Sequence, residues 1–177
     1  MLSREKRMKD KRPGKRRITL RKIYALAVLG IMLFIFIQSA LPGDLSGRES
    51  GMIAGFLAKL FHIEREVISS FVRKGAHFTE FALLGITLFL YVKEYFLERS
   101  RREAGDMRPE GNAGIRYVAA WIAGTFYACT DEFHQMFVAG RSGEIKDVLI
   151  DSAGVLAGII LTGLVLWVKG KRAGRTC

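Results

Sequence analysis

The chain has 177 residues; half are hydrophobic and mean hydropathy is +0.17, although a quarter are charged and the net charge is +11. Charges must therefore sit in blocks and apolar residues in long runs, which argues against a soluble core and for a small integral membrane protein. Two cysteines with no CxxC pair give no disulfide framework or zinc finger, and the positive charge is placed for lipid, not nucleic acid. Residues 1–22 carry eleven Lys/Arg against Glu5 and Asp10 directly before an apolar run, a topology signal facing anionic lipid.

The first predicted span runs from Ile23 to about Leu41. It is too long for a signal-peptide core and is followed by Pro42-Gly43, a helix stop, so it reads as an uncleaved anchor. Between Pro42 and Ser70, Met52, Ile53, Phe56, Leu57, Leu60 and Phe61 recur at helical spacing after a polar stretch. That segment is too short and polar to span and is expected as an amphipathic outer-face helix. The second span is Arg73 to Val92. A charged linker over residues 93–114 has no periodicity and is expected to be flexible. The third and fourth spans are about Arg116–Met136 and Leu149–Val168. The short connection between them makes these two helices antiparallel neighbours. The fold class is thus all-α: four transmembrane helices plus the amphipathic helix, with residues 169–177 as a basic tail. Cys129 reads as a small packing residue, and Thr87, Thr125 and Thr162 as locally bonded to backbone.

Orientation follows from Lys/Arg in the flanks. The N-terminal block, the linker (Lys93, Arg99, Arg101, Arg102, Arg108) and the tail (Lys169, Lys171, Arg172, Arg175) are all basic. Four spans put them on one side, so both termini are expected in the cytoplasm of a multi-pass cell-membrane protein. Depth then places the polar residues. At about 1.5 Å per residue across a core of about 30 Å, Asp131 lies ~9 Å below the outer surface, His77 ~6 Å and Glu80 ~10 Å. Ser39 and Asp151 fall in the same outer third. Along the fourth span Asp147, Asp151, Gly154 and Gly158 form one stripe, with small residues that allow close helix contact. Ala120, Gly124, Ala128, Asp131 and Gln135 form a similar stripe on the third span, and Arg73, His77 and Glu80 share a face of the second. Ionisable groups at such depth mark a site.

Three blocks, FIFIQSALP with Ser46–Ser50, RKGAHFTEF (Arg73–Phe81) and DEFHQMFVAGRSGEIKDVLIDSAGVLAG (Asp131–Gly158), resemble those of the VanZ-like family. That family is named for a member associated with resistance to glycopeptide antibiotics, teicoplanin especially. Ala139-Gly140-Arg141 stands where the family commonly has Pro-Gly-Arg, and Phe81 where it often has Tyr. The resemblance implies a four-helix membrane domain over residues 23–168 and a loose link to the cell envelope. It implies no settled mechanism.

The chemistry has to come from the residues. Arg73, Lys74 and Arg141 at the outer rim, with Gln135 and Ser39, suit binding of a lipid head group, since cations meet phosphate there and Arg does so bidentately. The substrate class would be an outer-leaflet envelope lipid or peptidoglycan precursor. Below them Asp131, Glu132, His134, His77 and Glu80 are candidates for catalysis. His77, Glu80, Asp131, His134, Asp147 and Asp151 could hold a divalent cation, zinc or manganese for a mixed nitrogen and oxygen set and magnesium for carboxylates alone. The alternatives are a structural salt-bridge network in a protein that shields the envelope or binds a partner, and a small-solute transporter, for which the apolar inner two-thirds is unsuited.

Overall fold

The structure, a computed structural model, describes residues 13–42, 55–60, 62–104 and 113–173. The first twelve residues of the basic block, the Ser46–Ser50 segment, Met52, Ile53 and Phe61 of the expected amphipathic stripe, residues 105–112 of the linker and 174–177 of the tail lie outside the described residues. All regular structure among the described residues is helical: α1 (Pro13–Ser39), α2 (Arg65–Ala104), α3 (Ala113–Gln135) and α4 (Ile145–Ala173). Residues 55–60 form a short helical stretch in which Phe56 and Leu60 are exposed and Leu57 is half-buried.

Two helices extend beyond the apolar runs. α1 begins at Pro13, ahead of the span expected from Ile23. Proline is preorganised for the first helical turn, and the Lys/Arg/Leu run after it has high helix propensity, so the helix does not wait for the apolar segment. α2 is 40 residues long and continues to Ala104, so residues 93–104 are helix where a flexible linker was expected. Its end, LERSRREA, is built of strong helix formers and needs no apolar stripe. A 2.6 Å salt bridge from Arg21 Nη1 on α1 to Glu98 Oε2 ties that extension to the bundle. At 1.5 Å per residue α2 measures ~60 Å, about twice a hydrocarbon core.

Three segments are long and apolar enough to cross a membrane: Thr19–Ser39, Glu66–Ser100 and Ile145–Arg172. α3, with 23 residues, has the length, but Arg116, Asp131, Glu132 and His134 dilute its apolar run.

The helices alternate in direction. Arg21 near the start of α1 meets Glu98 near the end of α2. Ser39 at the end of α1 bonds Asp131 near the end of α3, and Trp121 and Thr125 of α3 reach Ser152 near the start of α4. α2 and α4 run parallel and make the closest approach. A Cβ at Gly158 would overlap the Ala82 carbonyl, and one at Gly85 would overlap the carbonyl of Val155. Glycine is required at both because two backbones touch there, the arrangement that small-residue stripes permit in membrane helices.

The core is a thin seam of Ile35, Phe81, Leu84, Phe89, Ala120, Ala128, Val155 and Ile159. Outside it Leu26, Leu29, Leu33, Val118, Ile122, Phe126, Leu156, Ile160 and Leu164 are exposed. Helices this apolar on their outward faces are bundle elements for a bilayer, where lipid replaces water as the neighbour. Cys129 is free and exposed, not packed. Thr87 and Thr162 bond backbone carbonyls of their own helices as expected, whereas Thr125 pairs with the Ser152 hydroxyl at 2.8 Å.

Candidate functional site

The α3–α4 connection closes one end of the bundle. After Gln135 the chain turns through Phe137 N–H to His134 O and Val138 N–H to Gln135 O, both 3.0 Å. Gly140 then adopts φ 73°, a left-handed conformation that costs glycine little, and the next residue, Arg141, is aimed back into the bundle. Its Nε donates to Leu41 O (3.1 Å) and its Nη2 to Gln38 O (3.2 Å), which also accepts the Leu41 N–H at 3.4 Å as the end of α1 turns. Its Nη1 donates to Gln135 Oε1 at 3.2 Å. Burial lowers the Arg141 pKa from its ordinary value and nearby Arg73 adds to this, while the carboxylates of Asp131, Glu132 and Glu80 oppose the shift. Glu132 holds the other side of the connection, where its Oε2 accepts the Glu144 N–H at 3.0 Å. Glu144 in turn offers its carbonyl to Asp147 N–H at the start of α4.

Beneath this connection the polar residues of all four helices meet. Asp131 Oδ2 accepts from Ser39 Oγ at 2.8 Å and from Gln135 Nε2 at 3.0 Å. Its other oxygen, Oδ1, is buried with no hydrogen-bond partner among the described residues. Asp151 is 2% exposed, and its Oδ2 likewise has no partner. His77 from α2, Asp131 from α3 and Asp151 from α4 each present a ligand atom, all within 4.8 Å of one another. Glu80, one turn below His77, places Oε2 3.9 Å from His77 Nδ1, outside hydrogen-bond reach.

Two candidate residues stand apart from that trio. His134 packs against Phe36 of α1, with ring centroids 4.4 Å apart. Asp147 forms an ion pair with Lys74, whose ammonium also lies 4.0 Å from Glu144. Above the trio opens a cavity of about 140 Å³ lined by residues that include Arg73, Lys74, His77, Arg141, Asp147 and Asp151. Arg73 is the cation there that makes no hydrogen bond or salt bridge among the described residues, whereas Lys74 and Arg141 are both engaged.

A family model described as VanZ/LLP1 matches residues 18–166. The chain belongs to the VanZ/LLP1 family. No match was found among curated proteins or among solved structures. The VanZ/LLP1 region takes in all four helices where they pack together, the α3–α4 connection and every residue of the cluster. This membership, with three helices apolar enough to span a bilayer, makes the chain a membrane protein.

Sequence reasoning missed Ser70, Ser142 and Glu144, which also line the cavity. Ser70 lies one helical turn before Arg73 and could have been found by that spacing. Glu144, three residues before Asp147, stands where a helix cap belongs. Ser142 gives no comparable signal.

Proposed function

We propose that this VanZ/LLP1 protein crosses the membrane four times, with both termini in the cytoplasm, and binds the phosphorylated head group of an envelope lipid in the cavity at its outer end. Arg73 carries this reading. It lines a polar cavity with donors that no described protein group uses, and a guanidinium in that condition is a bidentate phosphate or carboxylate receptor. The position at a bundle end suits a ligand whose head group lies at the interface while its chain stays in lipid. α3 counts as a span in this reading because it packs antiparallel against α4 along its length, and because a fourth crossing puts every basic flank on one side. A lipid-linked peptidoglycan precursor belongs to the same chemical class, and its capture would connect the protein to glycopeptide susceptibility.

A structural role for the charged cluster has one observation in its favour. Arg141, Gln135, Ser39, Glu132 and Lys74 are all bonded to protein groups, as a locking network would be. The unpartnered atoms of His77, Asp131 and Asp151 and the unengaged Arg73 are what such a network does not need.

The test is native mass spectrometry of detergent-purified protein with a polyprenyl phosphate, a neutral lipid of equal chain length, and inorganic phosphate. Retention of the polyprenyl phosphate alone supports a lipid head-group site. Retention of inorganic phosphate as well keeps the anion site but removes the lipid from it, and equal retention of both lipids contradicts the reading.

A further inference from the structure

We infer that His77, Asp131 and Asp151 form a site for a first-row divalent cation, zinc or manganese, at the floor of the cavity. Three helices contribute one ligand each, α2, α3 and α4, and the three ligand atoms already converge within 4.8 Å. Three ligand atoms about 2.1 Å from one ion stand roughly 3.4 Å apart in a tetrahedral shell, so side-chain shifts of about 1–1.5 Å would close it.

The second observation is independent of that spacing. Asp151 is 2% exposed and its Oδ2 is buried with no hydrogen-bond partner among the described residues; Asp131 Oδ1 and His77 Nδ1 are also buried without hydrogen-bond partners. Buried charged groups are ordinarily paired or bound to metal. A dication with two carboxylates and a neutral imidazole leaves those three residues uncharged together. Among the described residues no Lys or Arg forms a salt bridge to Asp131 or Asp151: Lys74 pairs with Asp147, Arg141 bonds neutral groups of Leu41, Gln38 and Gln135, and its charge acts on Asp131 only through space.

The surroundings of Asp131 are also those of a metal ligand. Ser39 and Gln135 hold Oδ2, and Arg141 holds Gln135. Such outer partners fix a carboxylate so that its remaining oxygen points one way. A set of one nitrogen and two carboxylate oxygens selects zinc or manganese over magnesium or calcium, which favour oxygen throughout. His77 and Asp151 also line the cavity, so a further coordination position would face it. The site stands on its own residues, and its link to a phosphorylated head group rests on the function proposed above.

The experiment loads detergent-purified full-length protein with zinc chloride or manganese chloride alone, removes free metal by gel filtration, and counts bound metal by elemental analysis. Wild type and Glu64→Gln should each retain about one equivalent, the load of a single site. Asp151→Asn and His77→Gln should lose affinity by more than the roughly 10- to 100-fold that an outer-shell change costs. Variant and wild type retaining metal equally, or wild type retaining none, overturns the site. X-ray absorption at the zinc edge of the wild type needs no variant to fold: imidazole scattering supports the assignment, and its absence contradicts it. Polyprenyl phosphate binding is measured in parallel with and without EDTA. Lipid bound equally in both by a metal-free protein removes the metal site and keeps the anion site, whereas metal bound without lipid does the reverse.

Discussion

Ser39 at the end of α1 donates a 2.8 Å hydrogen bond to Asp131 near the end of α3, across 92 residues of sequence. That bond, with the one from Gln135 to the same oxygen, fixes where the Asp131 carboxylate points. It ties α1, the least buried of the three segments apolar enough to span a membrane, to the rest of the bundle.

Ser39→Ala removes one of two donors to a buried carboxylate and should lower stability by about 1.5–3 kcal/mol, the range for a hydrogen bond to a charged group. Chemical denaturation in a mild detergent reads this directly. An unchanged midpoint would mean that Gln135 alone satisfies Asp131.

Arg141→Lys keeps the charge but cannot reproduce the fork that reaches Leu41 O, Gln38 O and Gln135 Oε1 together. Leu41 O loses its side-chain partner and Gln38 O keeps only the Leu41 N–H, and a loss of about 1–3 kcal/mol is expected. A lysine variant as stable as wild type would show that only the charge matters.

Gly158→Leu should abolish detergent-stable protein, because even a Cβ there overlaps the Ala82 carbonyl of α2. Gly170→Leu, where nothing lies within 4 Å, should be neutral to within roughly 0.5 kcal/mol. Fluorescence-detected gel filtration of the two variants checks the pair, and equal recovery would contradict the α2–α4 approach.

Orientation is tested by a single cysteine placed at exposed Lys146 or Gly170 in a background lacking Cys129 and Cys177. A membrane-impermeant maleimide applied to whole cells should label Lys146→Cys and leave Gly170→Cys unreacted until the cells are opened. The opposite pattern would invert the topology.

Much of this arrangement was legible in the sequence because lipid imposes long, uninterrupted helices with one polar stratum. The stripe of Asp151, Gly154 and Gly158 is buried, as are Ala120, Gly124, Ala128, Asp131 and Gln135, so helical periodicity alone identified the inward faces. The ends of α1 and α2 were not legible from hydropathy. Residues 13–22 and 93–104 are charged but helix-forming, and propensity carried the helices past the apolar runs. Within the cluster, sequence spacing supplied the residues but not their partners. His134 and Asp131 lie one turn apart, yet one meets Phe36 and the other Ser39; Lys74 meets Asp147 while its neighbour Arg73 lines the cavity. Those pairings depend on how four helices rotate against one another, which no single helix encodes.

The most direct measurement is the affinity of a polyprenyl phosphate for wild type and Arg73→Gln in neutral-lipid nanodiscs, with circular dichroism to verify the fold. Loss of a charge-assisted hydrogen bond worth about 1.5–3 kcal/mol should weaken binding by roughly tenfold or more. Equal affinity in the two proteins would contradict a head-group site built on Arg73.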